Sequence, residues 1–379
     1  MADELRLDWP GLMRFKSSFT EPVPESSERS FGKKGIATFH GTARFLDRSR
    51  IQVGDDTLEA RRFVIASGAR PAALGFPGEE LLTTSTDFLE LHELPRRIVF
   101  VGGGYISFEF AHVAARAGAS ATILHRSDRP LRGFDPDLVN RLVKATKDLG
   151  IEVKLSSPVK AIEKRDLSFL VKGESEAGAF EIEADLVVHG AGRVPNVDRL
   201  DLFSAGVEAN PRGVVVNEHL RSVSNPAVYA AGDAAATDGP PLTPVAGMEG
   251  HVVASNLLKS DNRTADYTAV ASVVFTIPPL AAVGLLDVDA RKKGFRFHVQ
   301  SGDTAQWYSS RRISEEISGY KVLVEEGSGR ILGAHLLGVH SEELINLFSL
   351  AIRFGIKASD LKQMAYAYPS RASDVPYMV

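Results

Sequence analysis

The stretch "VFVGGGYISFEF", residues 99–110, is an apolar run that collapses into three consecutive glycines and resumes with helical spacing. Ahead of it, "RRIVFV" (96–101) reads as a buried strand. Behind it, Ile106, Phe110, Val113, Ala114 and Ala117 fall at helical intervals and predict one apolar stripe facing a sheet. "ASATIL" (119–124) reads as a second strand. Gly102 and Gly104 therefore stand at a strand-to-helix turn inside a βαβ unit of about 30 residues, the context that gives a glycine pattern meaning. Two readings of the turn stand side by side. Its glycines serve only backbone dihedrals that side chains disfavour, or they let main-chain N–H groups and the positive end of a helix approach a pyrophosphate. Ser107 takes the third small position.

The end of the second strand bears on the choice. A unit that binds NAD usually carries Asp or Glu there, accepting from the ribose hydroxyls. This chain has "LHRSDRPLR" (124–132), with Arg126 and Arg132 and no acid at the strand end. An acid would repel a 2′-phosphate, whereas two guanidinium groups can grip it. The pattern predicts NADP, with NADPH preferred over NADH. The competing reading is a solvated basic loop in which Asp128 pairs with one of the arginines.

Composition bounds the rest. With 379 residues, 44% hydrophobic and 24% charged, the chain is long enough for two or three cores. A net charge of -4 offers no electrostatic case for a nucleic-acid partner. Nothing approaches 18 consecutive apolar residues, and the opening "MADELRLDWPGL" lacks the basic-then-apolar pattern of a signal peptide, so no membrane partner and a cytoplasmic location are expected. The cysteine count is 0, which excludes disulfides, thiolate metal sites and cysteine nucleophiles within this chain. His335 and His340 are five apart and His251 is alone on a predicted helix; no ligand spacing emerges and no metal is expected.

"LEARRFVIASGARP" (58–71) and "IEADLVVHGAGRVP" (182–195) resemble each other: a strand, a small-residue turn, then arginine and proline. In the second copy the turn glycine, Gly192, lies 90 residues after Gly102. The same distance back from Gly68 falls before residue 1, so the first copy is expected to have kept its tail and lost its nucleotide loop. "GIATFHGTARFLDRSRIQV" (35–53) alternates as a β meander would. "NPAVYAAGDAA" (225–235) repeats the strand-then-glycine logic, with Gly232 followed by Asp233. A carboxylate there can accept from a polyhydroxyl chain such as ribitol, or act as a helix cap or turn residue. In "LTPVAGMEGHVVASNLL" (242–258), Thr243 is the predicted N-cap, Pro244 sits in the first turn, and Val245, Met248, Val252 and Leu257 give a partial apolar face. A helix start aimed at a flavin would stabilise the negative charge that reduction develops on its pyrimidine side.

In this order and spacing, "GGGYISFEFA", "LHRSDRPLRGFDP", "GAGRVPN", "VYAAGD" and "LTPVA" resemble the flavin-dependent pyridine nucleotide-disulfide oxidoreductases, the family of glutathione and mercuric reductases. The resemblance covers essentially the whole chain. It implies FAD held by Gly232, Asp233 and the segment Thr243, Pro244, Val245 and Ala246, and NADP held by Gly102, Gly104, Tyr105 and Ile106 of the glycine loop with Arg126 and Arg132. Tyr105 takes the position of the family's gate ring over the nicotinamide. Glu109 takes that of an acid paired with a lysine beside the flavin, and Ser67, Gly68 and Gly192 fall in the loops that approach the two cofactors.

The fold expected is α/β: two nested nucleotide-binding modules, the first truncated, with parallel sheets and β meanders, plus a C-terminal α+β dimerisation domain. The boundaries are a partial FAD-binding domain at 1–94, an NADP-binding Rossmann-like domain at 95–195, a return to the FAD-binding domain at 196–262, and an interface domain at 263–379. "ASVVFTIPPLAAVGL" (271–285) and the hairpin of "YKVLVEE" and "RILGAHLLG" supply its strands, and Leu344, Leu347, Phe348 and Ala351 mark a covering helix. A homodimer is implied; an ordinary α+β lobe of a monomer is the other reading.

Two departures bear on function. The family's redox dithiol and first FAD-binding βαβ are expected upstream of where this chain begins, and without cysteine no attacking thiolate exists within it. Near the C-terminus, in "AYAYPSRASD" (365–374), Tyr368 stands where the family has an acid/base histidine, Ser373 where its glutamate follows, and Asp374 one place late. A phenol of ordinary pKa about 10 is a poor base at neutral pH but can donate a hydrogen bond; interface packing is the alternative role. The function expected is NADPH-dependent flavoprotein oxidoreduction, with electrons passed to a small-molecule acceptor, a disulfide or another. The alternatives are a non-catalytic NADP-binding, dimerising remnant and a cysteine-independent NADPH diaphorase or oxidase.

Overall fold

The computed structural model describes residues 7–379; the first six residues of the expected 1–94 segment lie outside the described residues. The chain divides into two units, one of Met1–Pro10, Ala73–Gly192 and Thr268–Val379, the other of Gly11–Ala72 and Arg193–Tyr267.

The first unit contains a four-stranded, wholly parallel sheet in the order Leu186–His189, Arg97–Val101, Ser120–Leu124, Glu152–Lys154. Ile98, Val99, Phe100, Ala121, Ile123, Leu124, Val187 and Val188 are buried, as in a sheet covered on both faces, which explains why these strands read as continuous apolar runs. The helix Tyr105–Arg116 follows the glycines. Its buried face is Ser107, Phe108, Ala111, His112 and Ala114, which corrects the stripe drawn from the sequence: Val113 is exposed, and Ile106, Phe110 and Ala117 are only partly covered. The helix is rotated by about one residue, roughly 100°, because Ser107 is drawn in against Gly190 and the Phe110 ring stacks on Phe88 at 4.5 Å. A three-stranded antiparallel meander, Val159–Lys164, Phe169–Ser175 and Gly178–Ala184, completes this half.

The same unit contains a five-stranded antiparallel sheet, order Ser272–Val274, Leu280–Gly284, Ile331–Leu337, Gly319–Glu325, Phe297–Asp303. The helix Ser341–Phe354 covers it, burying Leu344, Ile345, Phe348 and Ala351 against Val283, Val322, Val324, Ala334 and Leu336. Leu347 lies partly covered at the edge of that core, and Ile345 takes a central place in it. The strand Phe297–Asp303 went unanticipated because its alternate side chains are exposed or only half-buried, so it carries no apolar signal.

The second unit keeps the meander, but only as Ala43–Phe45, Arg50–Val53 and Asp56–Glu59; residues 35–42 form no strand. The internal repeat is real in three dimensions. Phe63–Ile65 of the first copy pairs in parallel with Val228–Ala230, as Leu186–His189 of the second pairs with Arg97–Val101. The two tails also pair with each other, Ala69–Pro71 antiparallel to Arg193–Pro195.

His112 offers a test of the packing. Its Nε2 lies 2.9 Å from the Thr146 hydroxyl, and burial, aided by the Arg116 charge, lowers its pKa from 6.5 to about 4. Between those values the unfolded chain binds a proton that the folded one refuses, so stability falls as pH drops through that window, by on the order of 3 kcal/mol. His112→Gln should remove this component: the difference between wild-type and variant urea-denaturation free energies should rise from pH 4 to pH 6.5, and a flat difference would contradict the buried neutral imidazole.

Candidate functional site

The first unit holds the glycine turn. Gly102 has φ +116°, and a Cβ there would lie 2.2 Å from the Gly190 carbonyl oxygen, so backbone contact alone demands glycine. Gly103, absent from the sequence-based site, is equally constrained: a Cβ would lie 2.6 Å from the His125 ring. Gly104 differs. The nearest atom to its added Cβ is 3.6 Å away, an ordinary contact, and no side chain caps the helix that it opens. The dihedral-and-packing reading therefore accounts for Gly102, whereas no close contact among the described residues requires Gly104 to be bare. This is the cradle that a ligand anion needs: an uncapped helix start approachable at the backbone.

The segment 125–134 folds over this turn. Leu131 N–H donates to the Gly103 carbonyl at 2.9 Å, and Phe134, buried, meets the Tyr105 ring edge-on at 5.6 Å. Arg126 and Arg132 are both exposed, and among the described residues neither forms an ion pair, with Asp128 or otherwise. Burial holds the pKa of His125 below its usual value, with the charges of Arg132 and Arg126 acting the same way. Further along the helix, Tyr105 is part-exposed and its pKa is raised, chiefly by burial. Glu109 accepts from the Phe275 N–H at 2.8 Å, and burial raises its pKa. Ile106 is half-buried, and Gly192, at φ +121°, is exposed with open space around it.

The second unit holds a cavity of about 480 Å³, within the range of small-molecule sites. Gly68, Gly232, Asp233, Thr243 and Ala246 line it, together with Val64, Ala66 and Leu257. Gly68 and Gly232 both have φ +66°, a left-handed backbone that brings the main chain to the cavity wall. Ser67, Pro244 and Val245 do not line it: Ser67 is exposed and Val245 is buried in the protein's own packing. Thr243 is also not the N-cap. Leu242 holds that place in extended conformation without a side-chain cap, Thr243 is the first helical residue of Thr243–Lys259, and the helix start is left uncapped beside the cavity.

Sequence reasoning missed Glu249. It lies on the buried face of that helix, 1% exposed, with Val245, Val252, Val253 and Asn256, where Met248 and Leu257 had been expected. Its carboxylate accepts from the Gly232 N–H at 2.6 Å, the Thr237 hydroxyl at 2.9 Å and the Tyr267 hydroxyl at 2.7 Å. It thereby shapes the turn that carries Asp233. The available signal was an acid on an otherwise apolar helical face, one that burial tolerates only when its oxygens are satisfied.

Near the C-terminus, Tyr368 is 74% exposed and its ring lies parallel to that of Tyr308, centroids 6.0 Å apart. Asp374 is buried instead, accepts from the Ser309 hydroxyl, and has its pKa raised by burial. Arg371 donates to Ser309 and Ser310 at 3.0 and 2.7 Å and pairs with the buried Glu315. Ser373 only closes a local turn onto the Ser370 carbonyl.

Two uncapped helix starts, each beside a positive-φ glycine, Gly102 in one unit and Gly232 in the other, together with a helix-covered antiparallel sheet, define an α/β protein of the Rossmann class. A model of the family described as pyridine nucleotide-disulphide oxidoreductase matches residues 14–250, and the model of that family's dimerisation domain matches residues 270–379. The chain belongs to this family. It is 48% identical over 180 residues, 48% of this chain and 100% of the other, to an uncharacterized 19.7 kDa protein in the mercuric resistance operon of Staphylococcus aureus. It is 33% identical over 344 residues to the mercuric reductase of Staphylococcus aureus, covering 89% of this chain but spanning only 62% of that enzyme's length. The solved structure of the HOCl-induced flavoprotein disulfide reductase RclA from Escherichia coli superposes with a TM-score of 0.89 at 26% identity, over 98% of this chain and 86% of that one. Among the described residues no group of three or more His, Cys, Asp or Glu could hold a metal, and no helix is long and apolar enough to cross a membrane.

Replacing Glu249 by alanine leaves three half-buried donors, the Gly232 N–H and the Thr237 and Tyr267 hydroxyls, without their acceptor. The substitution should cost about 1–3 kcal/mol or more in thermal or urea unfolding, and a variant as stable as the parent would show that the carboxylate does not brace the 232–237 turn.

Proposed function

We propose that this chain acts as an NADPH-dependent flavoprotein oxidoreductase, and that it does so as a homodimer formed through residues 270–379. The observation that carries the nucleotide half of this reading is the combination of an open Gly104 at an uncapped helix start with two guanidinium groups, Arg126 and Arg132, free of ion pairs among the described residues. Such a pair has its donors available for a 2′-phosphate, and NADH presents no such group. The flavin half is supported by the 480 Å³ cavity with the Asp233 carboxylate and an uncapped helix start at its wall. Asp233 would accept from hydroxyls of the ribityl chain, and the helix start would favour negative charge on the ring.

Bound there, the flavin would accept hydride from the nicotinamide and release two electrons to an acceptor. This chain's own residues bind and orient. The Tyr105 ring, backed by Phe134, would screen the nicotinamide pocket from water, and Glu109, fixed by the Phe275 N–H, would hold a proton more readily than an exposed carboxylate does. Because none of the 379 residues is cysteine, electrons leave without a thiol relay contributed by this chain. The acceptor is a small molecule, a disulfide or another oxidant.

The test is a pair of binding measurements on the purified full chain. Arg126→Ala with Arg132→Ala should raise the NADPH dissociation constant about tenfold or more, on the order of 1.4 kcal/mol or greater, while NADH binding changes little. Equal losses for both nucleotides would overturn the NADPH assignment. A purified protein without bound or bindable flavin, colourless after incubation with FAD, would overturn the flavin half.

A further inference from the structure

The phosphate-gripping segment ends at Asp135, which is 1% exposed. One carboxylate oxygen caps the helix Pro136–Asp148, accepting from the N–H groups of Asp137 and Leu138 at 3.1 and 3.3 Å. The other accepts from Lys321 Nζ at 2.7 Å. Lys321 belongs to the five-stranded sheet, in the strand Gly319–Glu325, and is 9% exposed; its ammonium also reaches Asp137 at 2.5 Å. Its neighbour across the strand pair is His335, whose pKa burial depresses and whose Nε2 lies 3.1 Å from the Leu285 carbonyl. The sheet thus offers this ammonium no counter-charge there; both anions come from the nucleotide-binding segment. One turn along the same helix the polarity reverses, Arg141 donating to Asp303 at 2.7 Å and to the Ser318 carbonyl at 3.0 Å.

Resting on the NADPH reading above, we propose that Lys321 is a positioning residue for that cofactor: by fixing Asp135, it holds the end of the loop that presents Arg132 to the 2′-phosphate. Selectivity between NADPH and NADH is then set in part by a residue of the dimerisation-domain sheet. The physical basis is the sharp fixation that a buried, hydrogen-bonded ion pair imposes. A cation and anion withdrawn from water tolerate little displacement from one another, and either left alone is strongly unfavourable. Between the strand end at Leu124 and Asp135, the loop's tie to the glycine turn is the Leu131 N–H bond to Gly103, and Phe134 N–H closes back on Leu131. The near end, which carries Arg126, is held separately: His125 N–H donates to the Lys154 carbonyl at 2.8 Å, and the His125 and Ser127 carbonyls accept from the Ser157 and Ser156 N–H groups at 2.8 and 2.9 Å. The far end, which carries Arg132, runs directly into Asp135.

Lys321→Met is the direct variant. The Kd for NADPH, followed by the fluorescence of the reduced nicotinamide, should rise about tenfold, with that for NADH within about twofold. Hydrogen exchange at the Leu131 and Phe134 amides of the nucleotide-free protein should accelerate relative to the strand Arg97–Val101. Asp135→Asn keeps a good cap and removes the charge; it should shift both readouts the same way by less, and it decides the matter if Lys321→Met does not fold. Equal weakening of both nucleotides, or no change in exchange or affinity, would reduce Lys321 to a structural residue and overturn the proposal. Failure of the Arg126 and Arg132 variants to discriminate between the nucleotides would instead overturn the reading beneath it, so the two failures are separable.

Discussion

The rest of the nucleotide-binding half depends on one contact between two stretches of main chain. Gly102 and Gly190 sit at the ends of adjacent parallel strands, so close that a Cβ on the first would meet the other's carbonyl oxygen at 2.2 Å. The Ser107 hydroxyl occupies the space where a side chain on Gly190 would stand. These approaches fix the rotation of the helix Tyr105–Arg116 about its axis. Phe108, Ala111 and Ala114 are then sent into the sheet, Glu109 toward Phe275, and Tyr105 toward Phe134. Gly104 remains the unfilled position of the three, and the site follows from that geometry rather than from the glycine count.

This also explains what the sequence disclosed. Strands buried on both faces carry an unmistakable signal, which is why Arg97–Val101 and Ser120–Leu124 fall within a residue of their expected limits. Repetition carried more: two copies of a strand, turn, arginine and proline imply two modules, and their tails lie paired in the fold. The helix face was misjudged for a physical reason. Spacing alone offers two adjacent stripes on Tyr105–Arg116, and the choice between them is made by two buried polar residues that meet residues distant in sequence, Ser107 packed against Gly190 and His112 hydrogen-bonded to Thr146. Half-buried edge strands such as Phe297–Asp303 carry no comparable signal.

Glu249 and Lys321 show the same limit at the site itself. Each is a charged residue that a local reading assigns to solvent, and each is buried because its partners arrive from elsewhere: Gly232, Thr237 and Tyr267 for one, Asp135 and Asp137 for the other. Under the proposed function, both satisfy a neighbour of a cofactor-binding group without facing the cofactor themselves. Buried charge is tolerated only where hydrogen bonds and counter-charges compensate the lost water.

The C-terminal segment sharpens the chemical reading. By resemblance, Tyr368 and Asp374 fall at or beside the positions of an acid–base dyad, yet the fold separates their environments. The phenol stacks on Tyr308 in water, while the carboxylate is enclosed with Arg371, Glu315 and Ser309. A dyad requires the carboxylate to orient the group that moves the proton, and here it accepts from a serine hydroxyl instead. The buried ions tie the segment to residues 309–315 and so act as structure. Under the proposed function, the residues of this chain that matter most are those that hold the two cofactors in place.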